Sequence, residues 1–583
     1  MSAQQDGQRA ITTAREVLSA LIAAGIRDLV ISPGSRSAPL AYAAAEAEAA
    51  RKLRVHVRID ERSAAFMALG LTQATGAPTA IAATSGSAIG QMLPAVMEAN
   101  HTGTPLLVLS ADRPDELHGT GASQSTRQKT LFGEHVRAAL NVPAGNSPAT
   151  ALDAVLAALR GNAQAPAGPA QLNLQFRDPL TPEDYSRVET QAWTGIEPGD
   201  WMGAGAQLSG TAWPQPSDAA QRRTVVVAGH AAGPEAQAFA QQRGLPLFAE
   251  PSSNARFSAH AIRHYRPLIT VGLERIERVV LFGRPTLSRP VGRLLAAAHI
   301  ESVIWEPAPA PWYEAGRRRE TPVADPQQLV DFAGTAPAGW LEGWQQLDAQ
   351  AQPIRAALQE PGTLDGAGVA EEIWNAGIPQ LLLGSSNIVR DFDLAADPGA
   401  AGSGMCHANR GLAGIDGTIS TALGLAAGSG QRTLAVMGDI TFAHDAGSML
   451  WSTGEQKPTV DVVVYNDGGG AIFSTLEHGQ VDESRRYGSS VERLFATPQQ
   501  MDLRALAEGY GWSYHRVSTR ADLGSLLSAG TSGELRLIEI PASRQALRAH
   551  HQELNQRLGE LPWPLDCSRP QARIRQSPGR RTG

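Results

Sequence analysis

One unit repeats along most of this chain: a short apolar strand, a loop of small residues, then a helix-like stretch. A helix-like Thr13–Ala24 ends at Gly25. Asp28-Leu-Val-Ile31 then leads into the loop Ser32-Pro-Gly-Ser-Arg36 and an Ala-rich helix. Leu53–Ile59 alternates as a strand, and a helix follows through Ala74. Thr79–Thr84, the turn Ser85-Gly86-Ser87, a helix to Asn100 and the strand Pro105–Ser110 continue the series. Strands rich in Val, Ile and Leu with helices between them specify parallel sheets, because parallel neighbours need a crossover and the crossover helix covers the sheet. The rhythm fails where Gly, Pro, Trp and Ser accumulate after residue 187. It resumes at Thr224-Val-Val-Val-Ala-Gly229, at Val279-Val-Leu-Phe-Gly283, and again at Gln380-Leu-Leu-Leu-Gly384, Thr433-Leu-Ala-Val-Met437 and Val460–Tyr465.

A chain of 583 residues is too long for one core. The pattern divides it into three consecutive doubly wound α/β domains at 1–187, 223–340 and 362–556. Linkers are expected at 188–222 and 341–361. Residues 557–583 read as a disordered tail, since the part after Pro564 holds five arginines, two prolines and no apolar period.

The net charge of −7 argues against a general nucleic-acid binder, and two cysteines, Cys406 and Cys567, against a disulfide framework. Fourteen histidines form no metal-spaced cluster, and no Cys/His grouping offers a zinc site. MSAQQDGQRA lacks the apolar core of a signal peptide, and nowhere do eighteen apolar residues run together. The expected location is the cytoplasm, without a membrane span.

In doubly wound sheets ligands bind beyond the carboxyl ends of the strands. Val436-Met-Gly-Asp-Ile440 ends one strand. Asn466-Asp-Gly-Gly-Gly470, 27 positions after Asp439, ends the next. Neighbouring parallel strands would bring the Asp439 carboxylate and the Asn466 amide oxygen to one ion. Hard oxygen ligands suit magnesium, with the Gly468 carbonyl and phosphate oxygens filling the octahedron. The glycines let backbone approach a phosphate closely. Taken singly, Gly-Asp and Asn-Asp-Gly are also ordinary turn formers. About 380 positions earlier, Glu61 in Val57-Arg-Ile-Asp-Glu-Arg-Ser-Ala-Ala-Phe66 follows a strand and opens a helix, where an acid can equally serve as a cap.

Together these segments resemble the thiamine diphosphate-dependent enzymes, whose diphosphate motif usually begins Gly-Asp-Gly and ends Asn-Asn; here Ile440 and Asp467 replace the last residue of each element. The resemblance implies a pyrimidine-binding domain first, a central domain without cofactor contacts, and a diphosphate-binding domain last. It implies that Glu61 hydrogen-bonds the aminopyrimidine and that Ser85, Gly86, Gly438, Asp439, Ile440, Asn466, Gly468 and Gly469 contact the cofactor, with Mg2+ or Mn2+ on Asp439, Asn466 and Gly468. Within that superfamily, Ile31-Ser-Pro-Gly-Ser-Arg-Ser-Ala-Pro-Leu40, Asp60-Glu-Arg62, Ser110-Ala-Asp-Arg-Pro114, Gly121-Ala-Ser-Gln124, Asn409-Arg-Gly-Leu-Ala-Gly-Ile-Asp-Gly417 and Gly470-Ala-Ile-Phe-Ser474 are similar to the 2-succinyl-5-enolpyruvyl-6-hydroxy-3-cyclohexene-1-carboxylate synthase family of menaquinone biosynthesis. The similarity runs from about residue 11 to 555.

That family's reaction decarboxylates 2-oxoglutarate and adds the succinyl unit to isochorismate. Both are dicarboxylates, and guanidinium groups grip carboxylates in two-point contacts. The resemblance accordingly implies a substrate site with Ser35, Arg36, Arg113, Ser123, Gln124, Arg289, Ser386, Arg390, Arg410, Phe473 and Leu476, the arginines Arg36, Arg113, Arg390 and Arg410 lying in motif loops. It places Ile415 under the cofactor and Ile472 and Phe473 as an apolar wall beside it; simple core packing accounts for those three equally well. Ser123 stands where the family often has Asn, and Arg289 where it often has Lys. The family's sites lie between two chains, which implies a homodimer or a homotetramer. Two alternatives stay open: another thiamine enzyme such as an acetolactate synthase or 2-oxoacid decarboxylase, and an inactive interaction protein of the same fold.

Overall fold

The computed structural model describes residues 3–184, 186–203, 212–218, 220–314, 316–359, 364–399, 404–479, 486–530 and 533–564. The first sheet holds β1 (Asp28–Ile31), β2 (Arg54–Val57), β3 (Thr79–Ala83), β4 (Leu106–Asp112), β5 (Ala138–Val142) and β6 (Ala170–Gln175). The second holds β7 (Thr224–Ala228), β8 (Leu247–Ala249), β9 (Arg278–Phe282), β10 (Glu301–Trp305) and β11 (Thr321–Val323). The third holds β12 (Gln380–Leu383), β13 (Met405–His407), β14 (Thr433–Gly438), β15 (Val460–Asn466), β16 (Ser513–Arg516) and β17 (Leu535–Pro541).

Every pairing within these sheets is parallel. Central strands such as β3, β4, β7 and β14 are buried along almost their whole length, which is why their sequences are continuous apolar runs. The first and third sheets share one strand order, β2-β1-β3-β4-β6-β5 and β13-β12-β14-β15-β17-β16. In each, the order reverses beside the first strand of the domain, so both offer a crevice at equivalent strand ends.

The segment expected as a linker at 341–361 contains the helix Trp340–Ala357, with Trp340 and Trp344 buried against the second sheet's core. Tryptophans facing one side of a helix make it part of a core, whatever its position between domains. Ordered structure also extends past residue 557: the last helix runs Leu547–Gly559, and Trp563 stacks on Trp340 at 5.5 Å. The remainder of the tail, 565–583, lies outside the described residues. Among the described residues no helix is long and apolar enough to cross a membrane.

The first and third domains meet along two helices, Glu61–Thr75 and Thr418–Ser429. Their backbones approach so closely that a Cβ on Gly70 would lie 2.2 Å from the Thr421 carbonyl oxygen, and one on Gly424 2.1 Å from that of Met67. Only glycine fits at either crossing point. The start of the first helix is pinned as well. Ser63 Oγ lies 2.6 Å from Ser448 Oγ, and Arg58 donates to the Ser448 carbonyl at 2.6 Å.

Candidate active site

At the head of helix Glu61–Thr75, two acids divide the work. Asp60 occupies the cap position, and its carboxylate accepts from the backbone N–H of Arg62 (2.9 Å) and Ser63 (3.4 Å). That leaves Glu61, half-buried in the first turn, outside the capping bonds. The alternative that Glu61 is merely the cap therefore fails for this residue.

In the third sheet, β14 and β15 pair so that Gly438 lies opposite Tyr465. Asp439 and Asn466 consequently share one edge of the crevice. Asp439 is buried; its Oδ1 accepts from the Ile440 N–H at 2.8 Å, while Oδ2 is buried without a partner. Burial pushes its carboxyl pKa up, against the N–H groups of Ile440, Gly469 and Gly468 that face it. Asn466 donates its amide N–H to Glu539 Oε1 at 2.8 Å, which fixes the side chain with its carbonyl oxygen at the opposite end. A buried carboxylate oxygen lacking a donor, beside an oriented amide oxygen, suits a hard divalent cation. Gly468 and Gly469 both take positive φ (78° and 143°), and a Cβ on Gly469 would lie 2.7 Å from the Ala496 carbonyl.

The basic residues fall into two groups. At the ends of β1, β3 and β4, Arg113 bonds Ser85 Oγ and donates to the Gln124 carbonyl at 2.7 Å. Arg36 is close enough to depress its pKa, second to burial. Arg36 itself donates to the Phe176 carbonyl at 2.8 Å. Gly86 stands against Gln124, and Ser35 and Ser123 are exposed in the loops next to Arg36 and Gln124. At the ends of β12, β13 and β14, Ser386 Oγ accepts from the Gly438 N–H at 3.2 Å and Arg390 donates to the Ser386 carbonyl at 3.3 Å. Arg410 is buried and bonds Thr286 Oγ1 (3.0 Å) and its carbonyl (2.8 Å). Burial, with Arg266 and Arg410 nearby, brings Arg390 down to about 10.

One expectation needs correction. Arg390 lies in the first turn of helix Ile388–Ala395, not in a loop, because the connection after β12 takes only residues 384–387 before helix begins. Ile415, Ile472 and Phe473 are all half-buried, so none is packed away as ordinary core. Leu476 follows the short helix Ile472–Thr475, and Arg289 reaches Glu477 at 2.7 Å.

Several residues that hold this site have no role assigned to them by the sequence. Glu98 accepts from the N–H of Gly411 (2.6 Å) and Leu412 (2.7 Å), and Arg284 donates to the Gly411 carbonyl at 2.5 Å, so the loop carrying Arg410 and Ile415 is gripped from two other domains. Glu250 holds Thr286 through both its N–H and its hydroxyl. Gln128 braces the turn at Gly86 by accepting its N–H at 3.2 Å.

Asp391, next to Arg390, is buried, and that burial together with Asp365 pushes its carboxyl up to about 8. It is protonated in the fold and ionised in the unfolded chain at intermediate pH, so stability is lost as pH rises from about 4 to about 8. Asp391→Asn should therefore raise the melting temperature more at pH 8 than at pH 5. Equal shifts at both would mean the carboxyl titrates normally.

The sequence matches two family descriptions: thiamine pyrophosphate enzyme, N-terminal TPP binding domain, over residues 11–131, and the C-terminal TPP binding domain over 399–540. It is 50% identical over 559 residues to a 2-succinyl-5-enolpyruvyl-6-hydroxy-3-cyclohexene-1-carboxylate synthase of Paenarthrobacter aurescens (strain TC1), covering 95% of this chain and 97% of that one. The synthases of the same name from Arthrobacter sp. (strain FB24) and Renibacterium salmoninarum are 51% and 47% identical over 95% and 94% of this chain, and 93% and 98% of theirs. The chain belongs to this synthase family. It is a thiamine diphosphate enzyme, and its three parallel sheets are those of that superfamily. The two matched segments fall within the two domains whose sheets share one strand order, and one carries Glu61, the other Asp439 and Asn466.

Proposed function

We propose that this chain decarboxylates 2-oxoglutarate and joins the succinyl unit to isochorismate, releasing carbon dioxide and 2-succinyl-5-enolpyruvyl-6-hydroxy-3-cyclohexene-1-carboxylate. The observation that carries the reading beyond the cofactor class is the pair of arginine groups beyond the carboxyl ends of strands in two domains: Arg36 with Arg113, after β1 and β4, and Arg390 with Arg410, after β12 and β13. Two dicarboxylates need two such groups. A simple decarboxylase of a monocarboxylate needs neither.

Thiamine diphosphate, when bound, supplies the electron sink for loss of carbon dioxide from a 2-oxo acid. The chain supplies the rest. Glu61 holds a proton at the aminopyrimidine. Asp439, Asn466 and the Gly468 carbonyl hold a divalent cation, magnesium or manganese, against the diphosphate, with Ser85, Gly86, Gly438, Ile440 and Gly469 as close backbone neighbours. Ile415, Ile472 and Phe473 keep water from the reacting carbon. Ser35, Ser123, Gln124, Arg289, Ser386 and Leu476 set the orientation of the two acids. Glu61 and Asp439 act on one cofactor when two copies of the chain combine, which makes the working unit a homodimer or a dimer of dimers.

Purified protein with thiamine diphosphate and Mg2+ is expected to release carbon dioxide from 2-oxoglutarate and to consume isochorismate, followed by its ultraviolet absorbance. Turnover of pyruvate with isochorismate untouched would give the reading to an acetolactate synthase or a 2-oxoacid decarboxylase instead.

A further inference from the structure

The last helix, Leu547–Gly559, reaches the site from a side that the motifs leave out. Its Leu554 and Leu558 are buried in the core that also holds Tyr265, Trp340 and Trp344, so it is fastened to the central domain. From its first turn Arg548 extends the other way and donates from Nη1 to the carbonyls of Ser474 and Leu476, both at 3.0 Å. Gln552, one turn later, accepts from Nε and Nη2 at 3.2 Å in the amide orientation that satisfies both side chains.

Those two carbonyls close the helix Ile472–Thr475, which is four residues long. One turn of helix leaves its final carbonyls unpaired and is not stable by itself. A guanidinium placed on them acts as a charged C-terminal cap. The chain folds back tightly around this cap. A Cβ on Gly479 would lie 2.1 Å from the Ser474 carbonyl oxygen and 2.7 Å from Arg548 Nη1, so only glycine closes the turn. Beside the cap opens a cleft of about 380 Å³ lined by Arg289, Leu476, Glu477, His551, Gln552 and Asn555. Its polar groups include the Arg289–Glu477 pair at 2.7 Å. Arg266, Arg390 and His550 also face His551, whose imidazole is driven down to about 4 by burial first and by those cations next, so it meets a ligand as a neutral donor or acceptor.

We propose that Arg548 is a positioning residue for the acceptor substrate: by capping Ile472–Thr475 it sets Phe473 and Leu476 and holds open the cleft in which Arg289 meets isochorismate. This rests on the reading of the reaction given above. The cap sits on the helix that bears Ile472 and Phe473, and Arg548 and Arg289 line one and the same cleft.

The test compares Arg548→Ala and Arg548→Lys with the wild type, each as the full chain loaded with thiamine diphosphate and Mg2+. Losing charged hydrogen bonds of this kind should raise the KM for isochorismate on the order of tenfold, leave that for 2-oxoglutarate within about twofold, and be partly recovered by lysine. A lower melting temperature with both KM values unchanged would reduce Arg548 to a stabilising cap and overturn the proposal, as would equal rises for both substrates. Where Arg548→Ala does not fold, Gln552→Leu, which releases the guanidinium from its own helix, carries the same comparison. If the wild type itself leaves isochorismate untouched, the reading of the reaction falls and this proposal with it; an active wild type with an unaltered variant sinks the proposal alone.

Discussion

Glu61→Gln should lower turnover by about 10²–10⁴-fold, the range set by removing a general acid–base group, while the protein keeps its fold. Each half of that expectation has a separate cause. The substitution keeps the size and hydrogen-bonding reach of the side chain but removes its ability to hold a proton. The helix it opens does not depend on it: Asp60 supplies the cap, Ser63 and Arg58 tie the first turn to Ser448, and the glycine crossings at Gly70 and Gly424 lock the rest against Thr418–Ser429. Isochorismate consumption and a thermal melt on the same sample separate the two. Turnover close to wild type would remove Glu61 from the chemistry, and a collapsed melt would show it to be a structural residue after all.

How much of this was legible in the sequence depends on the range over which each feature is specified. Strands such as Thr224-Val-Val-Val-Ala228 announce themselves because burial on both faces demands an unbroken apolar run. The pairing of Asp439 with Asn466 was legible too, since successive parallel strands place their ends together. Glu539 was not. It reaches Asn466 only because β15 and β17 align Val464 with Glu539, a register fixed by the sheet and invisible to local period. Glu98 gripping Gly411 from 313 positions away is the same kind of fact, one of tertiary placement. The helix Trp340–Ala357 differs for another reason: its position between two domains suggests a connector, whereas Trp340 and Trp344, one turn apart, make it core. The apolar Ile415, Ile472 and Phe473 could be core or wall from sequence, and their half-buried state favours the wall.

Asp439→Ala is expected to weaken thiamine diphosphate binding in the presence of Mg2+ by at least about 100-fold, beyond the loss typical of a residue that only orients a metal ligand. The reason is visible in the unpaired Oδ2. A buried carboxylate oxygen without a donor costs stability, and burial accordingly raises the pKa of this group. Such a group persists where a cation offsets the cost on binding. The same reasoning makes a second, opposite demand on the one variant: without cofactor, Asp439→Ala should melt no lower than the wild type, since it discards a buried carboxylate with one oxygen unpaired and keeps the backbone of Gly438–Ile440. Calorimetric titration of thiamine diphosphate with and without Mg2+ reads the first effect and a melt of the cofactor-free protein the second. Wild-type affinity should depend steeply on Mg2+, and the variant's should not. If the variant binds as tightly as the wild type and still responds to Mg2+, the cation sits elsewhere, and Asp439 with Asn466 is no more than a pair of turns.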